Sequence, residues 1–144
     1  MDHHLYPFFP IADQAMKLEQ VIFAGFTHEP AVRLSELLME MLPKSIDKLF
    51  FSDDGSTSTE VAIKLCIQYW HNKGIKKKKV IAMEGAYHGD TFGAMSVGDR
   101  ESIFNVPFKD LLFDVIYLPF PEGDGQNTIA HMQSVAGDEV AAFI

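Results

Sequence analysis

The stretch Phe50-Phe-Ser-Asp-Asp-Gly-Ser-Thr-Ser-Thr-Glu60 predicts the end of a strand, a tight turn and the start of a helix. The apolar run at 48–51 suits a buried strand, and the Asp, Gly and Ser residues after it favour a turn. A helix is predicted from about Thr57 to His71. Its predicted apolar face consists of Val61, Leu65, Cys66 and Tyr69.

The rest of the chain continues this alternation of strands and helices. A second helix, which Thr27 would cap and Pro43 would end, carries a leucine-rich stripe at helical spacing. Further strands are predicted at 80–83, 114–118 and 140–144, and further helices at 12–24, 91–97 and 128–135. This order predicts an α/β fold in which helices flank a mostly parallel sheet. Because no loop follows the last predicted strand, 140–144, we expect the sequence to be truncated within its sheet.

Composition limits the classes of protein that the chain can represent. Its 144 residues, 47% hydrophobic and 22% charged, are typical of a globular domain. The formal net charge of −8 argues against a nucleic-acid partner, and the basic run 76–79 is predicted to be a solvated loop. Cys66 is the only cysteine, so it has no disulfide partner within the chain and is predicted to be a small buried residue. The start is unlike a signal peptide and no apolar run reaches roughly 18 residues, so we predict a cytoplasmic protein without a membrane partner.

The turn before the Thr57 helix is the first candidate binding site. Gly55 permits a close approach to the backbone, and the amides of residues 55–57 would form a helix N-terminus with partial positive charge. The hydroxyls of Ser56, Thr57 and Ser58 would add donors for a phosphate. The alternative is that Asp54 or Ser56 merely caps the helix. The turn lacks a P-loop lysine and a three-glycine fingerprint, which disfavours those nucleotide-binding classes.

The loop Gly85-Ala-Tyr-His-Gly-Asp-Thr91 is the second candidate site, because ligands of open α/β sheets bind just beyond the strand ends. Tyr87 offers a flat ring for stacking on a heteroaromatic ligand, and a hydroxyl directed at a substrate. His88 and Asp90 suggest acid/base or metal chemistry, although a hydrogen-bonded loop histidine is the favoured interpretation. No metal site is assigned.

Together the two loops resemble the class III aminotransferases, which depend on pyridoxal 5'-phosphate (PLP). The run from Phe50 to Leu65 is similar to the family's phosphate loop and following helix, including a glutamate that Glu60 matches. The run Tyr87-His-Gly89 looks like the family's aromatic-His-Gly loop. The resemblance extends from about Ile11 to Ile144.

Three stretches look most like the branch of the family that moves an amino group from S-adenosylmethionine to 8-amino-7-oxononanoate in biotin synthesis. They are Phe26-Thr-His-Glu-Pro30, Gln68-Tyr-Trp70 and Gly85-Ala-Tyr-His-Gly-Asp-Thr-Phe-Gly-Ala-Met-Ser-Val97. The resemblance implies the large domain of PLP-dependent transferases (fold type I), of which residues 1–144 would be an incomplete N-terminal portion. It also implies a homodimer with active sites at the subunit interface.

The resemblance carries roles to three residues. Gly55 and Ser56 stand where the family binds the cofactor phosphate, and Tyr87 stands where a ring stacks on PLP and lines the substrate pocket. The sequence departs from the family at Asp54, where serine is more general, and at residues 57–58, where Thr-Ser replaces Glu-Ala. Residues 1–10 lack the family's Gly-x-x-His-Pro motif and are predicted to be an atypical arm.

No residue of this chain is assigned a catalytic role. By the same resemblance, the lysine that holds the cofactor and the acid that faces the pyridine nitrogen come later in the parent enzyme. Neither Lys64 nor Lys73 matches that lysine, so we expect the isolated chain to be inactive. The alternative from another class is a non-catalytic α/β module that binds a phosphate ligand through the same turn. Such a module would not require an aromatic residue at Tyr87.

Overall fold

A computed structural model describes residues 8–144 of the chain. Residues 1–7, and with them most of the atypical arm predicted at 1–10, lie outside the described residues. The chain forms two compact units, which divide between Phe50 and Phe51. Both candidate loops belong to the second unit.

The first unit contains two helices, α1 (Phe8–Lys17) and α2 (Glu29–Met41). The predicted helix at 12–24 was wrong at both ends, since α1 begins four residues earlier and ends at Lys17. The second predicted helix is confirmed and ends before Pro43. Its cap is His28 rather than Thr27, because the His28 ring nitrogen Nδ1 accepts a hydrogen bond from the Ala31 amide at 3.3 Å.

The second unit is a parallel sheet with helices packed on it. The elements in chain order are α3 (Gly55–Asn72), β1 (Lys79–Met83), α4 (Phe92–Val97), a 3₁₀ helix (Val106–Leu111), β2 (Val115–Leu118), α5 (Gln126–Val135) and β3 (Val140–Phe143). The strand order is β2-β1-β3, and β1 is parallel to both neighbours. The predicted α/β fold with a parallel sheet flanked by helices is confirmed.

The core of this unit lies where α3 and α4 meet the middle strand. Ile63 of α3 and Val97 of α4 pack with Val80 and Ala82, which share one face of β1 because strand side chains alternate. Burial of each larger side chain contributes about 1.5–3 kcal/mol. At the other end of α3, the Trp70 indole Nε1 donates to the Ala141 carbonyl at 2.9 Å and joins the helix to β3.

The buried face of α3 is not the one that the sequence predicted. Leu65 is 54% exposed and Tyr69 is 53% exposed, whereas Ile63 is buried and Trp70 reaches the sheet. Helical spacing shows which residues share a face, but α3 has apolar residues on more than one face. Cys66, predicted to be buried, is only partly so.

Three local predictions also differ from the structure. The run at 48–51 forms no strand, and Phe50 is 69% exposed, because an apolar run does not specify a pairing partner. The predicted basic loop ends one residue early, since Lys79 begins β1 and pairs with Glu139 at 2.5 Å. The 3₁₀ helix was not predicted. Among the described helices, none is long and apolar enough to cross a membrane.

Candidate functional site

The first turn of α3 is organised by Asp54. Its carboxylate Oδ1 accepts a hydrogen bond from the Thr57 amide at 2.7 Å, and the Thr57 hydroxyl oxygen accepts one from the Asp54 amide at 3.0 Å. The Thr57 amide is the main cause that lowers the pKa of Asp54 below its usual value. These reciprocal bonds form a capping box, so the helix-capping alternative is confirmed for Asp54.

This capping occupies three of the donors that the sequence predicted for a phosphate. The Thr57 amide is bonded to the Asp54 carboxylate, and the hydroxyls of Thr57 and Ser58 donate to the Asp54 carbonyl oxygen at 3.0 and 2.9 Å. Such local bonds are the usual use of short hydroxyl side chains at a helix start. Gly55 lies at the open end, where no described residue beyond its chain neighbours and the backbone of its own helix has an atom within 4 Å of the position of an added Cβ.

The loop that follows β1 packs on this turn. A Cβ added at Gly89 would lie 2.7 Å from the Cβ of Ser56, and Gly89 takes a φ of +120°, so the close approach requires glycine. The Asp90 amide donates to Ser56 Oγ at 3.3 Å, and Thr59 Oγ1 donates to the His88 carbonyl at 3.4 Å. The structure therefore brings the two candidate loops together near the carboxyl end of β1.

Tyr87 extends from this loop and is 71% exposed. Its hydroxyl donates to Asp90 Oδ2 at 2.9 Å. This hydrogen bond is the main cause that raises the pKa of Tyr87 above its usual value. The ring is thus open to a flat ligand, and its hydroxyl is held by the residue that also contacts Ser56.

The His88 side chain does not match its predicted environment. Its Nε2 atom is buried and has no hydrogen-bond partner among the described residues, whereas a hydrogen-bonded loop histidine was expected. A buried nitrogen of this kind is costly to leave without a partner. Between residues 8 and 144, no group of three or more His, Cys, Asp or Glu side chains could hold a metal ion.

Glu60 matches a glutamate of the family in the sequence, but no role was predicted for it. Its Oε1 atom accepts hydrogen bonds from the Thr91 hydroxyl at 2.6 Å and from the Gly93 amide at 2.7 Å. The sequence contained a signal for this contact, because Glu60 lies four residues after Ser56 and therefore on the same face of α3. The partners on α4 were not visible from spacing alone.

Comparison with known proteins decides the family. The family model for class-III aminotransferases matches residues 10–144. The chain belongs to this family. Family membership confirms the resemblance found in the two loops, and favours it over the non-catalytic phosphate-binding module.

Two relatives among the class III aminotransferases illustrate the match. The adenosylmethionine-8-amino-7-oxononanoate aminotransferase of Synechococcus elongatus is 52% identical over 93% of this chain, which spans 34% of that protein. The enzyme of the same name from Aquifex aeolicus is 44% identical over 77% of the chain, and 24% of its own length is covered. The chain thus corresponds to about a third or less of these relatives.

Solved structures of aminotransferases share the fold. The chain resembles adenosylmethionine-8-amino-7-oxononanoate aminotransferase from Methanocaldococcus jannaschii with a TM-score of 0.85 and 35% identity, over 94% of this chain and 31% of that one. An amine transaminase from an uncultivated Pseudomonas species, crystallised in its PLP-bound form, gives a TM-score of 0.80 at 25% identity, over 94% and 35% of the two chains.

Proposed function

We propose that this class III aminotransferase chain forms part of the PLP site of an enzyme of biotin synthesis. That enzyme would transfer an amino group from S-adenosylmethionine to 8-amino-7-oxononanoate and give 7,8-diaminononanoate. The observation that carries the proposal is the packing of the Tyr87 loop on the first turn of α3 through Ser56 and Asp90. The 52% identity to an enzyme named for these substrates supports their choice.

The donors at the first turn of α3 are suited to the phosphate of PLP. Gly55 is the first residue of the helix, whose N-terminus carries partial positive charge. Ser56 Oγ accepts the Asp90 amide, which leaves the hydroxyl proton to donate to a phosphate oxygen. We therefore assign Gly55 and Ser56 to the cofactor phosphate. The Asp54 carboxylate opposes the phosphate charge, so binding would depend on these directed donors.

Tyr87 is assigned to the ring of PLP and to the substrate. Its exposed ring would stack on the pyridine ring, and its protonated hydroxyl would face the substrate side. Bound PLP supplies the electron sink that transamination requires. The chain's own contribution is to hold the phosphate, cover one face of the ring and exclude water from that face.

The covalent attachment of PLP is proposed to use a lysine outside these residues. Lys64 is exposed and lies about 14 Å along α3 from Gly55 at 1.5 Å per residue, and Lys73 caps the far end of the helix. Both lysines are therefore remote from the proposed phosphate donors at Gly55. We therefore propose that residues 1–144 are one portion of the PLP-binding large domain, without transaminase activity by themselves.

The enzyme is further proposed to be a cytoplasmic homodimer. Large apolar side chains in and around the 3₁₀ helix are exposed, among them Ile103 at 82%, Phe104 and Leu111 at 68%. A surface of this kind is typical of subunit contacts. Light scattering of the full-length enzyme should give twice the monomer mass, and a concentration-independent monomer would contradict this part of the proposal.

The proposed site is tested by separating ring binding from phosphate binding in the full-length enzyme. Tyr87→Ala should weaken PLP binding and leave the affinity for inorganic phosphate, measured by competition with PLP, unchanged. Ser56→Ala should weaken the binding of both PLP and phosphate. Tyr69→Ala is a matched control, because Tyr69 is also exposed but lies near the other end of α3. Unchanged PLP affinity in Tyr87→Ala would show that the ring assignment is wrong.

The inactivity of the isolated chain has its own test. After incubation with PLP and reduction by borohydride, mass spectrometry should find no single lysine that carries the cofactor stoichiometrically. Stoichiometric labelling of one lysine, together with amino-group transfer, would contradict the proposal.

A further inference from the structure

Beyond His88, whose carbonyl accepts a bond from Thr59, the loop that carries Tyr87 is held on α3 at two points. The first point is Ser56, which contacts Gly89 and accepts the Asp90 amide. The second point is Glu60, one turn farther along the same face of α3. The segment 89–93 thus runs alongside two successive turns of the helix that begins with Gly55.

Glu60 binds the start of α4 with a single carboxylate oxygen. Thr91 is the N-cap of α4, and its hydroxyl makes no capping bond within that helix; it donates to Glu60 Oε1 at 2.6 Å instead. The Gly93 amide, in the first turn of α4, donates to the same oxygen at 2.7 Å. Bonds to an ionised acceptor are stronger than those between neutral groups. Glu60 therefore supplies the cap that Thr91 does not.

The backbone of this segment approaches α3 closely at two glycines. A Cβ added at Gly93 would lie 2.6 Å from Glu60 Cδ, so the Glu60 side chain would have to move. A Cβ added at Gly89 would lie 2.9 Å from the backbone Cα of Ser56, which cannot move aside as easily. Two glycines, one on each side of Asp90, thus mark where the loop backbone rests on α3.

We propose that Glu60 is a positioning residue for the ring-binding loop. It contacts neither proposed ligand group itself. By holding Thr91 and Gly93 it fixes the course of the loop beyond Asp90, and so the distance between Tyr87 and the phosphate donors at Gly55. This inference rests on the proposed roles of Tyr87 and Gly55. Without Glu60 the loop would keep the bond from the Asp90 amide to Ser56 and the bond from Thr59 to the His88 carbonyl, but no bond beyond Asp90.

The test uses the full-length enzyme with four substitutions. Glu60→Ala removes the acceptor, Thr91→Val removes one donor, and Glu60→Gln keeps an amide oxygen that accepts both bonds. Lys64→Ala, one turn farther along α3 at an exposed position, is the control. The measurements are the dissociation constant of PLP, competition by inorganic phosphate, visible circular dichroism of the bound cofactor, and hydrogen exchange of the amides at 91–93.

Glu60→Ala, which removes both hydrogen bonds to Glu60, should weaken PLP binding about tenfold, while phosphate competition changes less than about twofold. The cofactor dichroism should fall and exchange at 91–93 should accelerate. Thr91→Val and Glu60→Gln should be intermediate, because each keeps part of the contact, and Lys64→Ala should match the wild type.

Three results would overturn the inference. The first is that Glu60→Ala leaves PLP affinity and cofactor dichroism unchanged. The second is that Glu60→Ala weakens PLP binding and phosphate binding equally. The third is that Glu60→Gln binds PLP as weakly as Glu60→Ala. A wild-type enzyme that does not bind PLP would instead contradict the proposed function. In that case the exchange rates at 91–93 still decide whether Glu60 holds the loop, and unchanged rates in Glu60→Ala would overturn the inference by themselves.

Discussion

The backbone amide of Asp90 donates a 3.3 Å hydrogen bond to Ser56 Oγ, although 34 residues separate the two along the chain. The Asp90 carboxylate accepts the Tyr87 hydroxyl at 2.9 Å. Asp90 therefore connects the exposed ring of Tyr87 with the first turn of α3. Through this connection, two loops that are far apart in the sequence form one surface.

Replacement of Gly89 by alanine should disrupt this surface. The new Cβ would overlap the Ser56 side chain, and the φ of +120° would strain any side chain. We expect a loss of about 2–4 kcal/mol in the free energy of unfolding, measured by denaturant titration, together with weaker PLP binding.

Gly123→Ala is the matched control for backbone strain. Gly123 also has a positive φ, of 59°, but no described residue has an atom within 4 Å of an added Cβ. Its loss should be about 1–2 kcal/mol with PLP affinity unchanged. Equal effects of the two substitutions would argue against a special contact between Gly89 and Ser56.

The Tyr87 hydroxyl should titrate at a pH above the usual tyrosine range. Its pKa is raised chiefly by the hydrogen bond to Asp90, so the bond is present at neutral pH and is lost as the pH rises through the folded-state value. Tyrosinate absorbance of the apoenzyme, with Tyr87→Phe as the reference, reports this pKa. Asp90→Asn should return the pKa towards about 10. An unchanged value in Asp90→Asn would contradict the assigned cause.

Asp54→Ser should strengthen phosphate binding. Serine still caps a helix, but the substitution removes a negative charge beside the proposed phosphate donors. Isothermal titration with inorganic phosphate and with PLP should show severalfold tighter binding of both. Weaker binding would mean that the Asp54 carboxylate supports the site instead of opposing it.

The cap formed by Asp54 should also depend on pH. Because the Thr57 amide lowers the pKa of Asp54 in the folded state, the cap stabilises the fold above the unfolded pKa of about 3.8 and is lost as the pH falls through the folded value. The stability difference between wild type and Asp54→Ala should therefore disappear in acid. A stability difference that persists at low pH would show that the ionised Asp54 carboxylate is not its cause.

The buried face of α3 can be tested with two apolar residues of that helix. Ile63→Ala should cost about 2–5 kcal/mol in the unfolding free energy of the 144-residue chain, because Ile63 packs in the core. Leu65→Ala, at a position that is 54% exposed, should change it by about 0.5 kcal/mol or less. A larger loss of stability in Leu65→Ala than in Ile63→Ala would instead support the buried face that the sequence predicted.

Much of the fold was predictable because it depends on local pattern. The strand at Val80–Met83 and the helix after Gly55 follow from an apolar run and from turn chemistry, and both are confirmed. The face of α3 was not predictable, because Leu65 and Ile63 are equally apolar and only the position of the sheet distinguishes them. The strand predicted at 48–51 was wrong for a related reason, since pairing depends on a neighbour.

The candidate site was predictable in its loops but not in its contacts. The stretch at Gly55 and Ser56 and the loop at Tyr87 carried recognisable chemistry. The bonds from Asp90 to Ser56 and from Gly93 to Glu60 join residues far apart in the chain, so no local spacing reveals them. The capping role of Asp54 was one of two open alternatives until the hydrogen bonds were known.

The most direct test of the proposed site is a crystal structure of the full-length enzyme with PLP. We predict phosphate oxygens within hydrogen-bond distance of Gly55 and of Ser56 Oγ, and the pyridine ring stacked on Tyr87, with the bond from Asp90 to Ser56 retained. A phosphate bound away from the first turn of α3, or a Tyr87 ring turned away from the cofactor, would contradict the proposed site.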